Sequence, residues 1–430
     1  MAHTRKKFFA ESALVPLFIM VVLLVGAYVM GCGTTSSSST SSTGSTGGST
    51  GGSTSSSACS SVTAPSWDHA WPMFHGFENH LGRSTALGPQ STSALWTFSA
   101  STDVGNPPNS VAIDKNGVIY LAGGGKVYSI SASSHTANWT KSYTSAQGPA
   151  LSADGSVLYF GSDKSIVAVN TSDGSEKWTR LTGGAVHFGP TVGPDGTVYQ
   201  GSWDKIFYAL NPSDGLVKWS YTTAGAISYP PSIMTCADSA VGTLIILGGG
   251  DAHEGPDGNI YAFNTSGTLQ WKYDTTQLRV GSPAITADGL IYAPGGPTLY
   301  VLNSSGALQW SLGDTSNEVS GIITPAIGAD GTIYLSNSKG SLAAIDPATH
   351  AAKWTYSVGT SVGIPTFPVV DSAGTVYYGG TDNIIYAVNK DGTEVFHYAT
   401  GDKMAEAAPA LVSGVLYISS DDGKMYVFGP

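Results

Sequence analysis

The sequence predicts an all-β fold, an eight-bladed β-propeller of four-stranded blades, and three observations carry that reading. Aromatic anchors recur at Trp96, Trp139, Trp178, Trp219, Trp271, Trp310, Trp354 and Phe396, at intervals of 43, 39, 41, 52, 39, 44 and 42 residues. A period of this size marks stacked units that bury a common core which no unit could bury alone. Composition agrees, because 55 Gly and 22 Pro with only 11% charged residues suit short strands and tight turns rather than surface helices. Finally, the last unit offers three strands and stops, while the segment around Trp96 reads as an outer strand with no inner strands before it. Joining the two closes the last blade with an N-terminal strand and removes exposed sheet edges.

Residues 1–31 read as an export segment. Arg5, Lys6 and Lys7 precede an apolar run from Ala13 to Met30, which ends in Val29-Met30-Gly31-Cys32. That ending resembles a bacterial lipobox, with Cys32 as the residue to be lipidated. The run is also close to the minimum length of a spanning helix, so an uncleaved anchor stays open beside the lipoprotein reading. Ordinary secretion stays open as well; all three readings export the globular part, and the first two tether it to a membrane on the periplasmic or extracytoplasmic side. Gly33 stands where an inner-membrane lipoprotein would carry Asp, which favours the outer membrane in a two-membrane cell.

Residues 32–61 are a Ser/Thr/Gly tract too polar to bury a core and read as a disordered tether, with a span of roughly 30 Å. Residues 62–430 are the propeller. Cys59 and Cys236 would share an oxidising compartment, where a disulfide is permitted; two separate thiols stay open as well. His69, His75 and His80, in the lead-in to the first anchor, are expected to help pack that segment on the propeller rim.

Within each unit the same order recurs, shown by PAITADG, LIYAPGG, TLYVLN and SSGALQWSL from residue 283 onward. The first turn of each unit holds a glycine: Gly117, Gly155, Gly196, Gly242, Gly289, Gly331, Gly374 and Gly414. A tight hairpin needs positive φ there. The innermost strands are small and apolar, as in Val111-Ala112-Ile113, Pro149-Ala150-Leu151, Pro283-Ala284-Ile285 and Pro409-Ala410-Leu411, which lets eight blades converge on an axis.

The spacing from Ala209 to Trp219, ALNPSDGLVKW, resembles the tryptophan-docking repeat of the PQQ-like, or quinoprotein alcohol dehydrogenase-like, propellers. Ala168 to Trp178 and Ala344 to Trp354 keep its length. The resemblance covers roughly residues 66–430, and Trp71-Pro72-Met73-Phe74-His75-Gly76 looks like the lead-in of bacterial members. It implies that each anchor wedges between neighbouring blades. Within the family, the exported and tethered organisation looks most like the BamB-type outer-membrane assembly lipoproteins.

The residues carry no sign of an enzyme. There is no adjacent Cys pair of the kind quinoprotein dehydrogenases hold beside their cofactor, and no second domain to cover a funnel; PQQ is not expected, and no other cofactor or metal is assigned. Walker loops and paired zinc cysteines are absent too. Asp251 to Gly258, in the longest interval, reads as a solvated polar loop, although its carboxylates would suit Ca²⁺. A net charge of −11 with no basic block after residue 7 excludes nucleic acid.

A ligand site, if built, belongs at the central funnel mouth, just before the inner strands. Asn106, Gln147, His187, Tyr229, Arg279, Glu318 and Glu406 fall there. The expected role is a monomeric, non-catalytic envelope scaffold that binds envelope proteins, with outer-membrane protein assembly as the analogue. A PQQ-dependent dehydrogenase-like enzyme and a module binding a surface polysaccharide are the alternatives.

Overall fold

Every blade in the computed structural model is one four-stranded antiparallel sheet, and eight such sheets account for the 32 strands among the described residues. The structure describes residues 59–65, 67–100, 109–237, 241–250, 255–313, 323–336, 341–358, 366–404 and 407–430. Cys32, the leader and the tether as far as residue 58 lie outside them, whereas residues 59–61, read from the sequence as the end of the tether, are described and bonded to the propeller. Blade one begins at Ser110–Ile113 and ends at Ala137–Ser142; six more follow in sequence order. Blade eight runs Ala410–Val412, Val415–Ser420, Lys424–Phe428 and then Ala94–Ser99, which pairs antiparallel with Lys424–Phe428. The N-terminal strand therefore closes the ring, as expected.

The inner strands are two to six residues long and almost wholly buried, whereas the outer strands alternate exposed and covered positions, as in Leu308–Gly313. The core lies between blades. Ala112, Tyr120 and Val127 of blade one pack with Leu158 and Phe160 of blade two, and Tyr199 and Phe207 of blade three pack with Ile245 and Phe263 of blade four.

The outermost strand pair of every blade carries a register shift beside the anchor, such as Ala209↔Trp219 followed by Leu210↔Val217. One extra residue bends the strand and re-aims the ring toward the next blade. Trp139, Trp178, Trp219, Trp271 and Trp354 then donate Nε1–H to carbonyls of Thr171, Pro212, Thr265, Ser304 and Lys390 in the following blade, at 2.7–3.0 Å. The turn that receives the ring needs glycine. At Gly215, with φ +69°, a Cβ would lie 2.6 Å from Trp178. Two receiving turns use histidine instead, and His135 and His350 stack on Trp96 and Trp310 with centroids 4.4 and 4.1 Å apart.

The lead-in departs from the rim position expected for it. It crosses the end of the ring at which the inner strands finish. Trp71 and Ile113 exchange backbone hydrogen bonds, and Leu151, Ile233, Ile285, Ile327 and Val370 donate N–H to carbonyls of Pro72, Glu78, Asn79, Leu81 and Gly82. Those donors belong to blades two, four, five, six and seven. An inner strand is a sheet edge, and its inward N–H groups need acceptors once water is excluded; the lead-in supplies them. Cys59 and Cys236 form a disulfide, with Cα atoms 5.6 Å apart, that fastens the start of this segment to blade four.

Candidate functional site

The funnel is a blind cup, because the lead-in stoppers one end of the axis. Phe74 sits at the stopper's centre, edge-on to Phe367 at 4.8 Å and Phe188 at 5.9 Å. Tyr229, Ile323 and Ala408, each just ahead of an inner strand, complete the same buried cluster. Beneath it, His75 and His80 are fully buried. Both ring nitrogens of His75 face backbone carbonyls, Pro368 at 2.7 Å and His80 at 2.8 Å, while His80 Nδ1 lies 2.9 Å from both Ser232 and Ser282 hydroxyls. These histidines are axial, so their role is to satisfy the ends of blades four, five and seven rather than to dress the rim.

At the open end, the connections between blades are held by a repeated aspartate. Asp204 accepts from Gly183 N–H at 2.7 Å and from the Tyr208 hydroxyl at 2.7 Å; Asp422 does the same for Gly401 and Tyr426. Asp257 fills this place in blade four. It takes the N–H groups of Ala224, Gly225 and Asn259, the Asn259 amide and the Tyr261 hydroxyl. A carboxylate with that many donors is a structural tie and not a cation ligand. Asp251, His253 and Glu254 lie outside the described residues. Adjacent connections approach so closely that a Cβ on Gly189 would fall 1.6 Å from the Gly148 carbonyl oxygen.

The residues expected at the mouth separate into distinct places. Gln147 is half-buried on the inner strand of blade two, where its Oε1 accepts from Asn109 at 3.3 Å. His187 stacks on Trp203 at 5.6 Å and meets Phe188 edge-on at 5.1 Å. Arg279 is half-buried on the connection into blade five. Tyr229 stacks on Phe188 at 5.3 Å and is buried in the floor, not exposed at the mouth. Asn106, Glu318 and Glu406 lie outside the described residues. Sequence reasoning missed Trp203, whose Nε1 donates to Ser228 at 2.9 Å. Its signal was available, since it is a tryptophan out of phase with the anchors, in a turn that reads Ser-Asp or Thr-Asp in blades two, seven and eight.

The buried cluster around Phe74 lacks the amides, cations and carboxylates that would hold a quinone cofactor. A tricarboxylated quinone with a cation asks for amides, cations and carboxylates in a ring around it. The cluster around Phe74 is aromatic and aliphatic, and its rings interlock at van der Waals spacing. What this arrangement can do is offer an aromatic-floored mouth with His187, Trp203, Gln147 and Arg279 at its edge.

Buried titratable groups in the stopper set its pH response. Burial pushes the His80 imidazole well below its ordinary range, with the neighbouring His75 adding to the effect; burial also lowers His75, against the pull of its two carbonyls. Burial raises the Glu78 carboxyl to about 7, opposed by its hydrogen bonds, including one from Trp67. The signs oppose. The histidine contribution is complete above pH 6.5 and is lost as pH falls, whereas Glu78 favours the fold at low pH and is penalised as pH rises from 4.5 through 7. Glu78→Gln is therefore expected to raise unfolding stability at pH 8 by up to about 3 kcal/mol and to leave pH 4.5 nearly unchanged. Urea denaturation at the two pH values checks this; an equal gain at both would refute it.

Known proteins share this architecture. A family model described as outer membrane protein assembly factor BamB matches residues 82–228, 182–319 and 295–430. Among solved structures, BamB from Moraxella catarrhalis is 18% identical with a TM-score of 0.61, covering 79% of this chain and 97% of that one. Quinohemoprotein alcohol dehydrogenase from Comamonas testosteroni is 14% identical, with a TM-score of 0.65 and coverage of 84% and 81%. A europium-containing methanol dehydrogenase is 12% identical, with a TM-score of 0.69 and coverage of 85% and 99%. No curated protein sequence matches the chain. At these identities the solved structures establish the fold and leave the activity to the site.

Proposed function

This chain belongs to the outer membrane protein assembly factor BamB family, and from that premise we propose that it is a non-catalytic scaffold that binds other envelope proteins. The observation that carries the proposal is the blind axis. The buried rings of the Phe74 cluster close the axis, and a mouth floored in this way suits a surface for a macromolecule better than an enclosure for a polar cofactor. The half-buried Arg279 and the His187–Trp203 stack supply the charged and aromatic character that anchors protein interfaces. Arg279→Glu is expected to weaken capture of envelope proteins by the tagged chain at least roughly tenfold, with an unchanged melting temperature. Undiminished capture would remove the mouth from the interface. The same protein, given PQQ and Ca²⁺, is expected to show no stoichiometric uptake and no substrate-dependent dye reduction.

The scaffold works from a membrane. Cys32 is the lipid attachment point in this reading, and the Ser/Thr/Gly tract behind it lets the propeller reach partners beside the bilayer. Cys32→Ser is expected to abolish incorporation of labelled fatty acid and to leave the precursor unprocessed. Processing and membrane attachment that are unchanged in that variant would refute the lipoprotein reading.

A further inference from the structure

At the stoppered end, neighbouring blades leave slots between their first turns, and the chain's own N-terminal segment fills two of them. Residues 59–63 lie between blades four and five, where Thr63 donates to the Thr235 carbonyl, Val62 to that of Ala287, and Cys59 N–H to the Ser304 hydroxyl. Residues 86–90 lie between blades seven and eight. There the Tyr377 hydroxyl donates to the Pro89 carbonyl at 3.0 Å, the Asp371 carboxylate accepts Gly88 N–H at 2.9 Å, and the first turn of blade eight abuts Leu87.

The slot between blades five and six is built alike and stays open, a cavity of about 480 Å³. Tyr292 holds the position of Tyr377, and its hydroxyl makes no hydrogen bond among the described residues. Asp288, two positions further along the first turn than Asp371 is in its own, lines the slot and accepts the Thr286 hydroxyl with one oxygen. Trp310 forms the outer wall. Unlike the five anchors that donate Nε1–H to the next blade, it stacks on His350 and makes no such bond among the described residues. At the inner end stands Arg83, whose guanidinium donates to the Gly328 carbonyl at 3.2 Å and pairs with no carboxylate among the described residues.

We infer that the slot between blades five and six binds an extended peptide segment of a partner protein, an internal acidic side chain of which meets Arg83. The slot between blades seven and eight defines the mode: a segment runs between the turns, a carbonyl takes the tyrosine hydroxyl, and an N–H takes the aspartate; the slot between blades four and five shows that such a segment also donates N–H groups to the turns. Arg83 adds a charge-assisted, fork-shaped contact that the filled slots lack. Leu290 and Ile327 line the slot and suit an apolar neighbour of the acid. The tether, residues 32–58, carries no carboxylate and so does not match. This site lies at the opposite end from the funnel mouth and does not depend on the role proposed there.

The test uses the tethered segment and propeller as one exported chain, with the Trp310 indole N–H resonance assigned through Trp310→Phe. Acetylated and amidated octapeptides that alternate apolar residues with one glutamate are titrated against glutamine counterparts. The expected result is a saturable shift of that resonance with the glutamate peptide and roughly tenfold weaker binding of the glutamine peptide, the loss of one charged hydrogen-bonded contact. R83Q and A348W, the latter filling the slot, are each expected to lose binding at least roughly tenfold with unchanged melting temperatures. Equal binding of the two peptides, persistence in A348W, response only to peptides with a free C-terminal carboxylate, or no shift with any peptide at millimolar concentration would each overturn the proposal. The wild-type comparison stands even if a variant folds poorly.

Discussion

Deleting residues 61–98 is expected to abolish most of the soluble yield, the largest effect on the fold that the structure implies. The deletion removes the outer strand of blade eight and leaves Lys424–Phe428 as a bare edge. It also removes the acceptors for inner-strand N–H groups in six blades and exposes the floor cluster at the axis. Single substitutions divide the effect. Phe74→Ala and Trp71→Ala, at fully buried rings, should each cost about 3 to 5 kcal/mol. Trp96 is only half-buried, so Trp96→Ala should cost less, although its ring closes the last blade. A deletion variant that melts like the intact protein would show that neither the plug nor the N-terminal strand closes the ring.

Removing the disulfide is expected to be the second large effect. Cys59 and Cys236 are 177 residues apart in sequence, so the bond restricts an unfolded loop that spans blades one to three and part of four. Chain-entropy reasoning for a loop of that length gives about 3 to 5 kcal/mol, lowered by whatever structure the unfolded chain retains. Cys59→Ser, Cys236→Ser and the double variant should lose the same amount, because each breaks one bond. Denaturation of the three, with and without reductant, checks it. Unequal losses, or a wild type insensitive to reductant, would mean that the cysteines act through packing alone.

How much of this was legible in the sequence follows from how local each signal is. The anchors, their glycine-bearing turns and the small inner strands repeat every forty residues or so, and the closure of blade eight followed from counting strands at both ends. The bulge beside each anchor was not legible. It leaves no composition of its own, only one residue more between Val217 and Trp219 than regular pairing would place. The course of the lead-in was hidden for a different reason. Its bonds join backbone groups of Trp71 to Ser84 to strand ends up to hundreds of residues away, as between Gly82 and Val370, and backbone groups carry no residue signature. That is why His75 and His80 read as rim residues and prove to be axial.

The mouth was legible as a region but not residue by residue. Gln147, His187 and Arg279 fell near it because the segment before each inner strand must face the axis. Tyr229 fell with them by the same rule, yet Pro230 and Pro231 follow it and its ring stacks on Phe188 in the floor. Distance along the chain from a leading proline does not say whether a ring turns up or down. Trp203 was missed because it comes from a second turn, which the argument from inner strands did not reach.

The central claim, that the funnel mouth is a protein-binding surface, is tested most directly by site-specific photo-cross-linking in cells that make the full chain. A photoreactive residue is placed at Arg279 or Gln147 on the mouth and, as a control, at Gln309 on the exposed outer strand of blade five. The account predicts discrete adducts with envelope proteins from the mouth positions and little from Gln309. Adducts of equal yield from Gln309, or none from either mouth position while the protein is folded and membrane-attached, would contradict it.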